Sequence, residues 1–266
     1  MPETTKQDQG QGLIARGITV RYGGAVANND IDIEARAGIV TGCIGPNGAG
    51  KTSFVDAITG FTACSGEVTV DGRPLTGLAP HKRAHAGLVR TWQAGDLFND
   101  ATVAQNLQIA AEGFQANTTW RDLFTSRRSV EQSQAALVSS VLERLDILHT
   151  RDRRPTELSL GEQRLVGVAR ALVMKPAVLL LDEPAAGLDT RESRKLGATI
   201  AEIAREGVAV LLIEHDIDLV LAISAQVFVL DYGRVIAAGT PAEIRKDPAV
   251  IAAYLGEPTE EEVSHG

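Results

Sequence analysis

Gly45-Pro46-Asn47-Gly48-Ala49-Gly50-Lys51-Thr52 matches the pattern G-x-x-x-x-G-K-[ST]. In that pattern backbone N–H groups curl around phosphates, the lysine neutralises the β and γ oxygens, and the hydroxyl reaches Mg²⁺. Ser53 continues the same turn. An ordinary glycine-rich turn needs no particular flanks, whereas this stretch sits between Ile39 to Ile44, an apolar run that reads as a buried strand, and a helical pattern. Strand, loop and helix in that order is the context the pattern requires.

Working outward, Val178-Leu179-Leu180-Leu181 and Val208-Ala209-Val210-Leu211-Leu212-Ile213 are apolar on both faces, as buried parallel strands are. Between them Leu196, Ile200 and Ile203 fall at helical spacing, and Gly207 stands where a helix stops. Strand–helix–strand predicts an α/β fold with a parallel sheet. The first strand runs into Asp182-Glu183-Pro184, two carboxylates at the strand end where open α/β sheets place ligands. Asp182 is suited to hold a metal or its waters and Glu183 to polarise an attacking water. Taken alone, such a pair is also what a solvated loop offers.

Segments before this core, Ile14 to Val20 and Glu67 to Val70, alternate or carry β-branched residues and predict flanking antiparallel strands. After Gln93 the strand signals fade. Leu137, Val141, Leu145 and Leu148 make a helical stripe, with capping-box spacing at Ser129/Gln132 and again at Thr102/Gln105. The expected division is 11–93 with 165–240 as core, 94–164 as an inserted helical lobe, and 241–266 as C-terminal helices with a mobile acidic tail. Within the last part, Thr240-Pro241-Ala242-Glu243 starts one helix and Asp247-Pro248 another, ending near Gly256.

Composition narrows the function classes. Lys and Arg total 26 against 34 Asp and Glu, a formal charge of −8, so the electrostatic footprint of a nucleic-acid binder is missing. Cys43 and Cys64 do not form a C-x-x-C pair; both read as small buried hydrophobes in a reducing compartment. Pro2 to Gln11 is polar and lacks the apolar stretch of a secretory signal. No apolar run approaches the roughly 18–20 residues of a membrane span. His81 and His85, four apart, suggest a solvated pair rather than a zinc site, for want of a third ligand; His149 and His265 carry no motif.

Leu158-Ser159-Leu160-Gly161-Glu162-Gln163-Arg164 resembles the L-S-G-G-Q signature of ABC-transporter nucleotide-binding subunits, and it precedes the second carboxylate strand at the family's short distance. Ser159 and Glu162 also have capping-box spacing, and the two readings are compatible. With the phosphate loop in order before it, the chain from about Leu13 to Glu257 resembles that family. The resemblance implies a P-loop NTPase cassette: a RecA-like parallel-sheet core, flanking antiparallel strands and an inserted helical subdomain. It implies ATP and Mg²⁺, with Tyr22 stacking on adenine, Gln93 linking γ-phosphate and metal to the helical lobe, and Thr52 and Asp182 at the metal. Lys51, Glu183 and His215 then serve hydrolysis, and Asp189 makes a cross-dimer contact. Ser159, Gly161 and Glu162 meet the γ-phosphate held by the opposite subunit. Singly, Tyr22 also reads as a packed aromatic, Gln93 as a polar loop residue and His215 as a helix-cap histidine. Leu160 departs from the family's usual Gly and Glu162 from its Gln.

Val89-Arg90-Thr91-Trp92-Gln93, the stretch around Phe124-Thr125-Ser126-Arg127-Arg128, Ala185-Ala186-Gly187-Leu188, Ile213-Glu214-His215-Asp216 and Ala253-Tyr254-Leu255-Gly256-Glu257 resemble the branched-chain amino acid importer branch. That branch implies permease subunits, a second ATP-binding subunit, identical or not, an extracytoplasmic solute-binding protein, no nucleic acid, and a place on the cytoplasmic face of the plasma membrane. A lipopolysaccharide-type exporter ATPase, a soluble ABC protein and a nucleotide-gated module that barely hydrolyses ATP remain alternatives.

Overall fold

The computed structural model describes residues 11–91, 97–115 and 127–255. Two sheets and the helices around them carry the chain. The central one has the order β10-β9-β3-β8-β7-β6, formed by β3 (Val40–Ile44), β6 (Leu88–Arg90), β7 (Val178–Asp182), β8 (Ala209–Ile213), β9 (Gln226–Asp231) and β10 (Arg234–Gly239). All its neighbours are parallel except the β9–β10 hairpin. The second sheet is antiparallel, in the order β2-β1-β4-β5, from β1 (Leu13–Tyr22), β2 (Ala25–Ala35), β4 (Ser65–Val70) and β5 (Arg73–Pro74).

The predicted parallel strands are buried along their whole length, and their alternating side chains divide into two cores. Val40, Leu179, Leu181, Val210 and Leu212 face one way, against α5 (Leu160–Leu172), α6 (Thr190–Arg205) and α7 (Ile217–Ile223). Cys43, Val178, Leu180, Leu211 and Ile213 face the other, against α1 (Lys51–Thr59) and the antiparallel sheet. Such doubly covered strands read as continuous apolar runs because neither face meets water. Cys43 is fully buried and burial pushes its thiol up to about 12, which leaves it inert. Cys64 is only half-buried, a correction to its predicted burial.

Past β6 and as far as β7, every regular element among the described residues is helical: α3 (Val103–Gln115), α4 (Arg127–Arg144), 3₁₀ turns at Leu148–Thr150 and Pro155–Glu157, and α5. The Thr102/Gln105 capping box closes as expected, with Gln105 N–H donating to Thr102 Oγ1 at 3.2 Å and Thr102 N–H to Gln105 Oε1 at 2.8 Å. The Ser129/Gln132 pair does not start a helix, because α4 is already helical at Arg127; positions three apart are also neighbours inside any running helix. The stripe also stops early. Asp146 adopts φ 57°, and Ile147 N–H turns back to Leu142 O at 2.9 Å, so the helix closes in a left-handed cap. Leu145 is buried just past the helix end, Val138 and Leu142 complete the seam, and Leu148 is exposed in a 3₁₀ turn.

Thr240 and Asp247 begin α8 (Pro241–Ile244) and α9 (Pro248–Leu255) as predicted. Among the described residues no helix is long and apolar enough to cross a membrane. Trp92, Gln93, Phe124 to Ser126, and the tail from Gly256 lie outside the described residues.

Candidate nucleotide site

The strand order places β3, β8 and β7 side by side, with Cys43, Ile213 and Asp182 in register across them. Their carboxyl ends therefore open onto one place. From β3 the chain enters the loop Gly45–Gly50. A Cβ at Gly45 would lie 2.1 Å from Leu230 O, so only glycine lets the loop leave the sheet that close to β9. At the far end Gly50 has φ 98° and caps α1 with no side-chain acceptor, leaving the first N–H groups of the helix for a ligand. Two contacts from distant elements hold the loop: the Asn28 side chain donates to Gly50 O at 3.0 Å and Gly233 N–H donates to Ala49 O at 3.0 Å. Sequence reading missed both, since neither partner lies near the motif.

An open cleft of about 470 Å³ runs over this loop, lined by residues 47–53, Val26, Ala27, Tyr232, Gly233 and Glu183. Pro46 and Gly45 sit at its base, where Lys51 Nζ donates to their carbonyls at 3.0 and 2.6 Å. Lys51 is 8% exposed, so its charge is held inside the loop and aimed by it. Thr52 is exposed in the cleft and Ser53 half-buried beside it.

Glu183 reaches the cleft through an unusual backbone. It has φ 48°, and its N–H donates to Ile213 O at 2.9 Å, tying the turn after β7 to the end of β8. Non-glycine residues in that region are strained, and such strain concentrates at functional sites. His215 Nδ1 stands 3.7 Å from Glu183 Oε1. Between them Glu214, 1% exposed, accepts from Ala185 N–H at 2.8 Å and from His215 N–H at 3.3 Å. Burial pushes its carboxyl above the ordinary range, opposed by the Ala185 N–H. Glu214 thus pins the loop after β7 to the loop after β8, a role with no local sequence signal.

Asp182 is buried at the end of β7, where Oδ2 accepts from Arg90 Nη2 at 2.7 Å. It borders not the phosphate cleft but a neighbouring one of about 670 Å³ between the core and the helices that follow β6. The donor set suits Mg²⁺: a threonine hydroxyl and a carboxylate are hard oxygen ligands. A cation that keeps water and phosphate oxygens needs only one or two protein ligands. No group of three or more His, Cys, Asp or Glu among the described residues is arranged to hold a metal by itself.

Ser159, Glu162, Asp189 and Tyr22 stand apart from the cleft of their own chain. Ser159 caps α5, accepting from Glu162 N–H at 3.3 Å while Glu162 Oε2 accepts from Ser159 N–H at 2.8 Å. Glu162 also meets His149 Nε2 at 2.9 Å, and that bond, then the one from Ser159, holds its carboxyl below the ordinary range. Leu160 is exposed and leans on Gly187. Asp189 caps α6, accepting from Arg191 and Glu192 N–H at 2.8 Å. Tyr22, half-exposed at the end of β1, places its hydroxyl 3.5 Å from Thr62 Oγ1 and does not line the cleft. Gln93 lies outside the described residues.

The family model for ABC transporters matches residues 28–186, which takes in the phosphate loop, the capped α5 and the β7 carboxylates. This chain belongs to the ABC transporter family. The cassette is accordingly an ATP-binding protein and an ATPase. A second model, described as a branched-chain amino acid ATP-binding cassette transporter, matches residues 234–259. The cassette is 39% identical over 252 residues to a high-affinity branched-chain amino acid transport ATP-binding protein of Salmonella typhimurium, covering 92% of this chain and 98% of that one. A protein of the same description from Pseudomonas aeruginosa is 40% identical over 250 residues, with the same coverage. Among solved structures, the ADP conformation of an ATP-binding cassette of an ABC transporter superposes with a TM-score of 0.80 at 29% identity, covering 92% of this chain and 98% of the other.

Proposed function

We propose that the cassette powers uptake of branched-chain amino acids or chemically related apolar solutes, as one of two ATPase subunits docked beneath permease subunits on the cytoplasmic face of the plasma membrane. An extracytoplasmic solute-binding protein would deliver the cargo. The observation that carries this reading is the match of the C-terminal segment, residues 234–259, to the branched-chain importer branch, which also speaks against an exporter.

In this reading two cassettes, identical or not, close head to tail over two nucleotides. Lys51 and the N–H groups of residues 47–52 bind the β- and γ-phosphates, and Tyr22, at the end of β1 and outside the cleft's lining, would stack on a base that projects beyond it. Thr52 and Asp182 hold Mg²⁺ together with Gln93. Bound there, the metal would supply positive charge against the triphosphate. Glu183 takes the proton of the attacking water, and its distance from His215 leaves room for the imidazole to donate toward the γ-phosphate. Ser159, Gly161 and Glu162 arrive from the opposite subunit, with Asp189 beside them. That these four residues lie away from their own cleft supports a role in trans.

The lobe division 11–93 with 165–240 against 94–164 would let the second part swing. The larger cleft, with Phe61 exposed at its edge, would seat a permease helix. A Glu183→Gln cassette in the assembled transporter is expected to lose about 10²–10⁴-fold in turnover while still pairing on ATP. Uptake of labelled leucine, isoleucine and valine by cells carrying only that variant should collapse with it; normal uptake of all three would assign the cargo elsewhere.

A further inference from the structure

Arg90 ends β6, and its guanidinium, 8% exposed, ties together three elements that the phosphate site depends on. Nη2 donates to Asp182 Oδ2 at 2.7 Å and Nη1 to Asp56 Oδ1, on α1, at 2.6 Å. The Asp182 side chain is itself 7% exposed. A carboxylate so far from water needs a counter-charge. Arg90 supplies it from an edge strand whose register against β7 is fixed, Arg90 lying opposite Leu180, and Thr91 N–H closes the ladder to Leu180 O at 2.9 Å. Two residues further along stands Gln93.

We infer that Arg90 is a positioning residue that holds the Asp182 carboxylate with a stand-in charge, so that metal and guanidinium share it. The inference rests on the assignment of Asp182 to the metal. Formal charges on Asp56, Asp182 and Arg90 sum to −1; without the arginine they sum to −2, beside the place where a polyanion must bind. Arg90 therefore favours nucleotide that arrives without metal and weakens the hold on the metal itself.

The discriminating quantity is the quotient of the dissociation constants for a fluorescent ATP analogue in EDTA and in Mg²⁺, measured on the full chain. Arg90→Met should raise that quotient at least about tenfold, the scale of one unit charge several ångströms away at intermediate dielectric, and Arg90→Lys should return it to within about threefold of wild type. A merely structural arginine would weaken both affinities by one factor; that result, or no change in either, overturns the inference. Should Arg90→Met fail to fold, Asp56→Asn keeps the arginine and removes one of the carboxylates it serves, so the quotient should fall, and a rise or no change overturns the inference equally. Asp182→Asn separates the two claims. If it leaves the quotient at the wild-type value, the metal assignment itself is wrong, whereas a lowered quotient with unresponsive Arg90 variants condemns only the role given to Arg90.

Discussion

Two helix starts in this cassette are built to opposite rules. At α1 the cap is Gly50, left-handed and without a side-chain acceptor for the N–H groups behind it. At α5 the cap is Ser159, whose hydroxyl and the Glu162 carboxylate satisfy each other's backbone, and His149 braces the carboxylate from outside. The first is incomplete until an anion arrives. The second is a finished helix end, and in the proposed pairing it presents the remaining positive end of a helix dipole to a nucleotide held by another chain. On that proposal one start binds alone, and the other needs a mate.

The sharpest way to break this distinction is Gly50→Ala. The new Cβ would lie 2.6 Å from Ala27 O with φ at 98°. Left-handed strain and overpacking together predict a loss of about 2–5 kcal/mol, read as a fall of roughly 5–15 °C in Tm, and nucleotide binding by the single chain should disappear from titration calorimetry. Ser159→Ala comes next. It should lower stability by about 1 kcal/mol and leave single-chain nucleotide affinity unchanged, while ATP-driven pairing of Glu183→Gln chains weakens in analytical ultracentrifugation. Gly161→Ala should barely move Tm, since its Cβ would meet only the flexible Glu192 carboxylate, at 3.2 Å; its effect should appear in pairing alone. Equal damage to single-chain binding from Gly161→Ala and Gly50→Ala would falsify the contrast.

The smallest effect concerns acid. The carboxyl of Glu162 is held low in the folded chain, first by His149 and then by Ser159 N–H. Its contribution to stability is therefore complete above the unfolded carboxylate value, about 4.3, and is lost as pH falls through the lower folded value. Glu162→Gln keeps an acceptor for Ser159 N–H but no longer titrates. Its Tm profile below about pH 5 should be flatter than that of the parent chain.

What could be read from the chain beforehand follows a physical division. The phosphate loop, the carboxylates after β7 and the caps at Thr102, Ser159, Thr240 and Asp247 are local devices, each completed within a few residues, and spacing reveals them. The pins at Asn28, Gly233, Arg90 and Glu214 are not local. Each joins segments far apart in the chain, brought together by the central order β9-β3-β8-β7-β6 or, for Asn28, by the second sheet lying against the phosphate loop, which no spacing encodes. The Ser129/Gln132 misreading shows the other limit, because a three-residue interval recurs throughout a helix and marks a start only where the backbone before it is extended. The short edge strand β6 and the β9–β10 hairpin were likewise silent, their pattern being too brief to stand out.

The pins on the phosphate loop carry a consequence of their own. Because Asn28 and Gly233 fasten Gly50 and Ala49 from two separate sheets, the concavity exists before any guest enters. Little ordering remains to be done on arrival, so capture should be quick, and in the proposed pairing how long a nucleotide stays is left to the partner that closes over it.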